Sequence, residues 1–407
     1  MSRINELIKN LCPNGVEYKQ LGEVGTFIRG NGLQKSDLRD QGVPAIHYGQ
    51  LHTFYGVWAT VSRSFTEEAI AAKLRRANPG DLLVVTTSED DDGVAKATAW
   101  LGETDVVLSG DAYIYRHTLE PKYVAYFFQS SSFQEQKRRY ISGTKLRRIS
   151  GDSLAKLSIP VPPREIQQEI VGILDQFTQL EAELEAELEA RRVQYDFYAG
   201  GLLAVDGDVP RVRFGDIAKI ARGASPRPIQ QFLTDDPDGA PWIKIGDVPA
   251  DGKFITRTAQ RVTAAGAAKS RRVMPGDFVL SNSMSFGRPY ISKIEGYIHD
   301  GWLAISEFED SYVADYLYYL LRSAPLQDEF KRRAGAGTVQ NLNADIVRSV
   351  EIPLPPRETQ ERIVALLDRF DALLNDLNVG LPAELRARRA QYEHYRDRLL
   401  TFKELAA

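Results

Sequence analysis

One long stretch of this chain occurs twice, and each time it opens on the same hinge. Residues 159–177 read IPVPPREIQQEIVGILDQF and residues 352–370 read IPLPPRETQERIVALLDRF. Pro162 and Pro163 cannot sit inside a helix but suit its first turn, where a missing N–H loses nothing, and Glu165 and Glu169 then favour the positive end of the helix dipole. A long helix is therefore predicted to start near Arg164. Apolar residues follow at Ile166, Ile170, Ile173, Phe177, Leu180, Leu184, Leu188, Tyr195, Tyr198 and Leu202. That spacing alternates four and three, a coiled-coil seam, with one extra four-residue step from Leu184 to Leu188. The second copy places Ile363, Leu367, Phe370, Leu374, Leu377, Leu381, Leu385, Tyr392, Tyr395 and Leu399 in the same alternation. At about 1.5 Å per residue, roughly forty residues make a rod of about 60 Å, longer than ordinary core helices. Two rods with matching seams are expected to pack on each other.

The remainder of the chain is duplicated as well. Residues 2–11 read as a short amphipathic helix and Pro13-Asn14-Gly15 as a turn. Residues 16–30 alternate like a strand that closes in an Arg-Gly corner, and residues 209–223 answer them. Residues 43–51 answer 240–248, and 71–84 answer 267–280 with eight identities in fourteen at an offset of 196. YVAYFF at 123–128 is aligned with YVADYL at 312–317, and 137–149 with 331–343. A repeat this long is a duplicated domain, not a solenoid. The expected architecture is α+β, with two pseudo-twofold-related mixed α/β domains separated by two long antiparallel coiled-coil helices. The boundaries read as 1–160 (first domain with its N-terminal helix), 161–205 (first long helix), 206–353 (second domain) and 354–407 (second long helix). Gly380 and Pro382 interrupt that second helix where the first is continuous. The framework repeats while loops 31–41 and 89–103 differ from 224–239 and 285–295, as expected of two sites built on one scaffold for different targets.

Charge has to be divided by segment to be informative. The net charge is −4, but residues 1–160 carry Lys+Arg 20 against Asp+Glu 18, residues 206–353 carry 19 against 19, and residues 161–205 carry 3 against 9. Most of the negative excess is thus the glutamate ladder from Glu181 to Glu189 on the first rod, and the near-neutral domains leave room for basic patches. Hydrophobic content of 43% and charge of 26% describe a globular chain. No apolar run approaches the ~18 residues that cross a bilayer, and the first residues lack a signal peptide's apolar core, so no membrane partner and a cytoplasmic location are expected. The single cysteine, Cys12, excludes a disulfide framework and any multi-cysteine metal site.

Motifs for chemistry are absent where they would be sought. There is no GxGxxG, no GxxxxGK[ST] phosphate loop and no Asn/Asp-Pro-Pro-aromatic tetrad of the amino-methyltransferase kind. His47, His52, His117, His299 and His394 have no metal spacing. The acidic run Glu89 to Asp92 has neither calcium-loop spacing nor a nuclease's lysine dyad, and reads as a solvated loop. Neither a catalytic nor a metal site is expected.

Two similar domains with polar, basic loops on a long spacer suit the reading of two sites at a fixed separation, and double-stranded DNA is the ruler-shaped target. Lys137, Arg138, Arg139, Lys331, Arg332 and Arg333 are expected to neutralise phosphates. The candidate DNA contacts are Arg29, Lys35, Tyr48, Gln50, Thr87, Ser88, Lys96, Thr144, Lys145, Arg147 and Arg148 in the first copy. In the second they are Arg222, Ser225, Arg227, Lys244, Asn282, Ser283, Arg288, Thr338, Gln340 and Asn341. Asn and Gln suit adenine edges, and Arg and Lys suit guanine. Two readings stay open on these residues alone: a coiled-coil protein-interaction scaffold without DNA binding, and an enzyme with an unrecognised site.

LCPNGVEYKQLGEV at 11–24, the two IPxPPRE hinges and GLPAELRARRAQYEHYRDRLLTF at 380–402 resemble the specificity subunit of type I restriction-modification enzymes. The likeness spans nearly the whole chain. It implies two target recognition domains, each reading one half of a split asymmetric DNA sequence, and helices that set the spacer. It also implies two methyltransferase subunits docked on those helices, with Ile170, Phe177, Tyr195, Tyr198, Ile363, Phe370, Tyr392 and Tyr395 as candidate docking positions, and a restriction/translocase subunit. S-adenosylmethionine, ATP and Mg would bind those partners and not this chain.

Overall fold

The computed structural model describes residues 2–204, 209–248, 252–282, 286–335, 341–375 and 380–405. The chain divides into two compact units, Met1–Glu185 with Glu384–Ala407, and Ala186–Ala383, the division falling within one long helix, Arg164–Ala204. In the first unit a five-stranded sheet runs in the order Gly25–Arg29, Ala112–His117, Leu82–Val85, Ala97–Trp100, Trp58–Ala59, beside a four-stranded sheet ordered Ser64–Thr66, Val43–Ile46, Val106–Leu108, Arg76–Ala77. The second unit repeats both orders: Lys219–Arg222, Trp302–Ser306, Phe278–Ser281, Pro289–Ser292, Phe254–Ile255, and Gln260–Val262, Ala240–Ile243, Gly296–Ile298, Arg271–Val273. It adds Leu233–Thr234 at the edge of its second sheet. The fold is thus two repeats of one mixed α/β domain.

The hinge behaves as its prolines dictate. The long helix begins at Arg164, directly after Pro162-Pro163, and the strand Ser158–Pro160 pairs with Tyr18–Gln20 just before it. In the second copy Glu351–Pro353 pairs with Arg211–Arg213, and a helix starts at Arg357. The second rod is two helices, Arg357–Asn375 and Gly380–Leu399, the later one opening at the expected interruption. Gly380 has φ +75, where a Cβ would crowd the Leu373 backbone, and Pro382 occupies the new helix's first turn. Leu377 lies outside the described residues.

Within the first unit the long helix packs antiparallel to Gly380–Leu399. Phe177 stacks on Tyr395 at 5.5 Å and meets Tyr392 at 6.4 Å, while Arg389 pairs with Glu181 at 2.6 Å and with Glu185. Asp397 accepts the N–H and hydroxyl of Ser131, fastening this helix to the start of Ser131–Arg138. Within the second unit the partner is Arg357–Asn375, with Tyr195 against Phe370 at 6.4 Å. Here the seam slips by one residue from the expected one. Ala199 and Leu203 are buried in the unit's core, whereas Tyr198 is 53% exposed.

Two further expectations change on folding. Residues 16–30 are two strands, Tyr18–Gln20 and Gly25–Arg29, parted by a single helical turn whose N–H groups at Gln20 and Leu21 bond Glu23 and the Leu157 carbonyl. The tyrosine-rich helix Pro121–Gln129 corresponds to Ala314–Arg322, a register four residues from the sequence alignment of 123–128 with 312–317. Two pairs of equivalent bonds fix it: Tyr126 donates to Asp175 at 2.8 Å and Tyr319 to Asp368 at 2.6 Å, while the N–H groups of Glu120 and Val313 donate to Gln167 and Gln360. Tyr-rich runs match themselves one helical turn out of step, so the sequence alignment chose the wrong turn.

Lys137, expected on the surface, is 1% exposed. It lies on the inner face of Ser131–Arg138, at the position Phe330 fills in the other copy. Its Nζ donates to the carbonyls of Asp92 at 3.0 Å and Val94 at 2.6 Å, pinning the acidic loop. Lys137→Ala leaves those carbonyls without a donor and opens a void, so a loss of about 2–4 kcal/mol is expected, with Lys137→Met losing less because it keeps the stem's volume. Burial holds the ammonium's pKa at about 8 against the usual 10.5, despite the acidic loop pulling the other way. The folded unit therefore sheds this proton before the unfolded chain does, and the wild type gains stability relative to Lys137→Met as pH rises from about 8 to 10.5, with no such gain below 8. Urea unfolding of both chains near pH 7 and pH 10 measures the difference.

Candidate nucleic-acid interface

Each copy brings three segments to one place: the end of its first sheet strand, the turn leading into the next, and the start of the loop beyond the third. In the first unit Gly30 N–H donates to Ala112 and Asn31 N–H to Leu108, closing the chain onto turn 109–111. In the second, Gly223 N–H donates to Trp302 and Ala224 N–H to Ile298, onto turn 299–301. A Cβ on Gly30 would collide with the Ser109 carbonyl and one on Gly223 with the His299 carbonyl, which is why both Arg-Gly corners carry glycine. Thr86 and Asn282 bond Asp111 and Gly301, and their own carbonyls accept from Ile149 and Leu342, so the basic loops end here too.

Arginines repeat with the backbone. Arg29 Nε donates to the Gly110 carbonyl at 3.0 Å and Arg222 Nε to the Asp300 carbonyl at 3.2 Å. The carbonyls of Arg29 and Arg222 in turn accept from the guanidinium groups of Arg75 and Arg271. In the first unit Arg29, Lys35, His47, Tyr48, Ser109 and Asp111 line a cavity of about 600 Å³. Burial holds His47 below the usual imidazole range, opposed by Asp111 and assisted by Lys35. Its Nδ1 accepts the Gly49 N–H at 3.2 Å, so it caps the helix Tyr48–Thr53. In the second unit Ser225 and Arg227 converge on the Asp300 carboxylate, at 2.7 and 3.1 Å. His299 is held low by burial, with Asp300 opposing, and Asp300 is held below the usual carboxylate range first by the Ser225 hydroxyl.

Several candidates selected by residue type have their polar atoms turned inward. Gln50 accepts from the His47 N–H and donates to Ser64 Oγ, serving as a cap; Asp247 does the same for the Lys244 N–H at 2.7 Å. Thr87 and Ser88 are buried in a strand, and the Thr87 carbonyl accepts from His52 Nε2. Lys96 donates to the His52 carbonyl at 2.8 Å, and burial lowers its pKa. Asn282 is buried and donates to the Asp300 carbonyl at 2.8 Å. Arg147 pairs with Asp91 at 3.0 Å and caps the Gly143 carbonyl. Arg288 sits over Tyr290, 5.9 Å from the ring centre. Thr144, Lys145, Arg148 and Asn341 are exposed, as are Arg138 and Arg139, whereas Glu329 engages Arg332 and Arg333. Ser283, Thr338 and Gln340 lie outside the described residues.

The helix candidates divide in the same way. Ile170 (0% exposed) and Ile363 (6%) belong to the cores of their own units, and a side chain without surface offers none to a partner. Phe177, Tyr195, Tyr392 and Tyr395 are half-buried in the helix seams; Tyr198 and Phe370 keep exposed faces. The residues missed by type are Asp111, Asp300 and Ser109, whose signal was position, SGD at 109–111 and HDG at 299–301 occupying the same turn, and the capping His47. Among the described residues no three His, Cys, Asp or Glu side chains gather to hold a metal, and no helix is long and apolar enough to cross a membrane.

The family model described as "Type I restriction modification DNA specificity domain" matches residues 13–190 and again 207–387. The chain is 32% identical over 298 residues to the specificity subunit of the EcoR124I/EcoR124II type I restriction enzyme of Escherichia coli, covering 69% of this chain and 70% of that one. It is 28% identical over 180 residues to the MjaIX specificity subunit of Methanocaldococcus jannaschii, 43% of this chain and 40% of that one. Among solved structures, a chain of a type I restriction-modification system aligns with TM-score 0.71 at 18% identity, covering 95% of this chain and 97% of that one. The HsdS subunit of Thermoanaerobacter tengcongensis aligns with TM-score 0.53 at 19% identity, covering 96% and 97%. At those identities the two structures speak for the fold.

The close approach at the Arg-Gly corners is directly testable. Gly223→Ala is expected to displace turn 299–301 and cost at least about 2 kcal/mol. In hydrogen exchange the loss should appear in the second unit's sheet and not in the first's; unchanged protection around Trp302 would show that the corner tolerates a side chain.

Proposed function

The chain belongs to the type I restriction-modification DNA specificity family, and from that membership we propose that it is the non-catalytic cytoplasmic subunit that reads a split, asymmetric double-stranded DNA target. Each α/β domain reads one half-site. The helices set the spacer and carry two methyltransferase subunits, and the assembly recruits a restriction/translocase subunit. S-adenosylmethionine, ATP and Mg belong to those partners.

The observation that supports this reading best is the repeated turn with unlike side chains around it. The same strand-end arginine, the same glycine corner and the same basic-loop junction recur, with Lys35, His47, Tyr48 and Asp111 around the turn in one copy and Ser225, Arg227 and Asp300 around it in the other. A scaffold kept constant beneath changed tips reads two different sequences in one manner. Exposed Lys145 and Arg148, with Arg138 and Arg139 on the adjoining helix, supply phosphate contacts. Arg227 and Asn341 are exposed, and their side-chain donors suit base edges. Because Asp91 already holds Arg147, its removal is expected to cost less phosphate affinity than removal of Arg148.

The chain, co-purified with its methyltransferase subunits, is expected to direct methylation to a two-part motif found by sequencing modified DNA. Exchanging residues 1–160 for those of a relative should change one part only; a change in both parts would refute independent reading. Inserting four residues between Leu184 and Leu188 adds one helical turn, about 6 Å, and should lengthen the spacer by about two base pairs while leaving both parts intact. An altered half-site at constant spacing would remove the ruler from the account.

A further inference from the structure

The two equivalent turns hold the same two residue types in opposite order, Ser109-Gly110-Asp111 and His299-Asp300-Gly301. The backbone role is unchanged: the middle carbonyl accepts the strand-end arginine, Arg29 or Arg222. The carboxylate, however, moves by one residue. In the first unit Asp111 lies 3.9 Å from the guanidinium of Arg29. In the second, Asp300 accepts from Ser225 Oγ at 2.7 Å and from Arg227 at 3.1 Å, while its N–H donates to Ser225 Oγ at 3.3 Å and its carbonyl also accepts Asn282 Nδ2. Asp300 thus joins three segments, and the arginine it holds is 79% exposed.

We infer that Asp300 is the positioning residue that makes Arg227 a base reader instead of a phosphate contact. This rests on the DNA-reading function proposed above. A free arginine on a surface loop binds phosphate through charge alone, in any sequence and with release of a counterion. One nitrogen of the Arg227 guanidinium is taken by the carboxylate, which also offsets its charge and repels phosphate. The remaining N–H groups then form a fixed donor fork, the geometry that discriminates one base edge from another. The first copy lacks this arrangement: Asp111 lies 3.9 Å from the Arg29 guanidinium, whose Nε donates to the Gly110 carbonyl.

Asp300→Asn keeps an oxygen acceptor for Ser225 and removes the charge that fixes Arg227. It is tested in the full chain assembled with its methyltransferase subunits, by equilibrium binding over a range of salt, with a melting curve to confirm folding. The expected result is a salt slope steeper by about one unit on every duplex. Discrimination between cognate and scrambled second half-sites should fall by about tenfold, with the first half-site read as before. Arg227→Ala should lose the same discrimination without the steeper slope, and the double variant should be no worse than Arg227→Ala alone. Wild-type discrimination in Asp300→Asn, or independent losses in the double variant, would overturn the inference and leave the DNA-reading function intact. Failure of the wild-type assembly to distinguish cognate from scrambled DNA would instead overturn that function itself.

Discussion

One buried amide in each copy fixes where everything else goes. The proline hinge leaves carbonyls without helical donors, and a glutamine one turn into the helix bonds back to them. Gln167 Nε2 donates to the Pro162 carbonyl at 2.8 Å while its Oε1 accepts the Glu120 N–H at 2.9 Å; Gln360 repeats both bonds with Pro355 and Val313 and adds the Ser311 carbonyl. The two side chains are 4% and 1% exposed. A buried amide with its donor and acceptor both committed tolerates almost no displacement, because any shift strands polar groups away from water. The start of the tyrosine-rich helix is thereby locked to the start of the long helix, and the Tyr126–Asp175 and Tyr319–Asp368 bonds extend the lock two turns further on.

A rigid junction between domain and helix is what a reader of two separated half-sites needs. Position has to be carried by framework so that specificity can be carried by the few residues at the tip. The framework repeats down to single bonds at the turn, whereas the polar groups around it differ between copies.

What could be read in the sequence was whatever punctuation and period control. Prolines marked the hinge, a four-three alternation marked the long helix, and the matching framework segments marked a duplicated domain. What escaped depended on hydrogen bonds that residue type does not reveal. Lys137 looked like part of a basic run but substitutes for a core phenylalanine, with its ammonium held by two carbonyls. Gln50, Thr87 and Asn282 looked like base readers and are caps and core ties. Ile170 and Ile363 obeyed the seam and for that reason are buried. In the other direction, an aspartate beside a glycine in a turn is unremarkable until the fold shows that Asp111 and Asp300 flank one and the same corner.

The proposed function requires the two units to read separate halves of one DNA target. Binding of the assembled complex to four duplexes, with the cognate motif intact, scrambled in the first part, in the second part, or in both, tests this most directly. Independent readers predict a loss for each scrambled part, with the double scramble reduced to the salt-dependent affinity shared by all DNA. Equal affinity for all four duplexes, or full loss from scrambling one part with no discrimination left at the other, would contradict it.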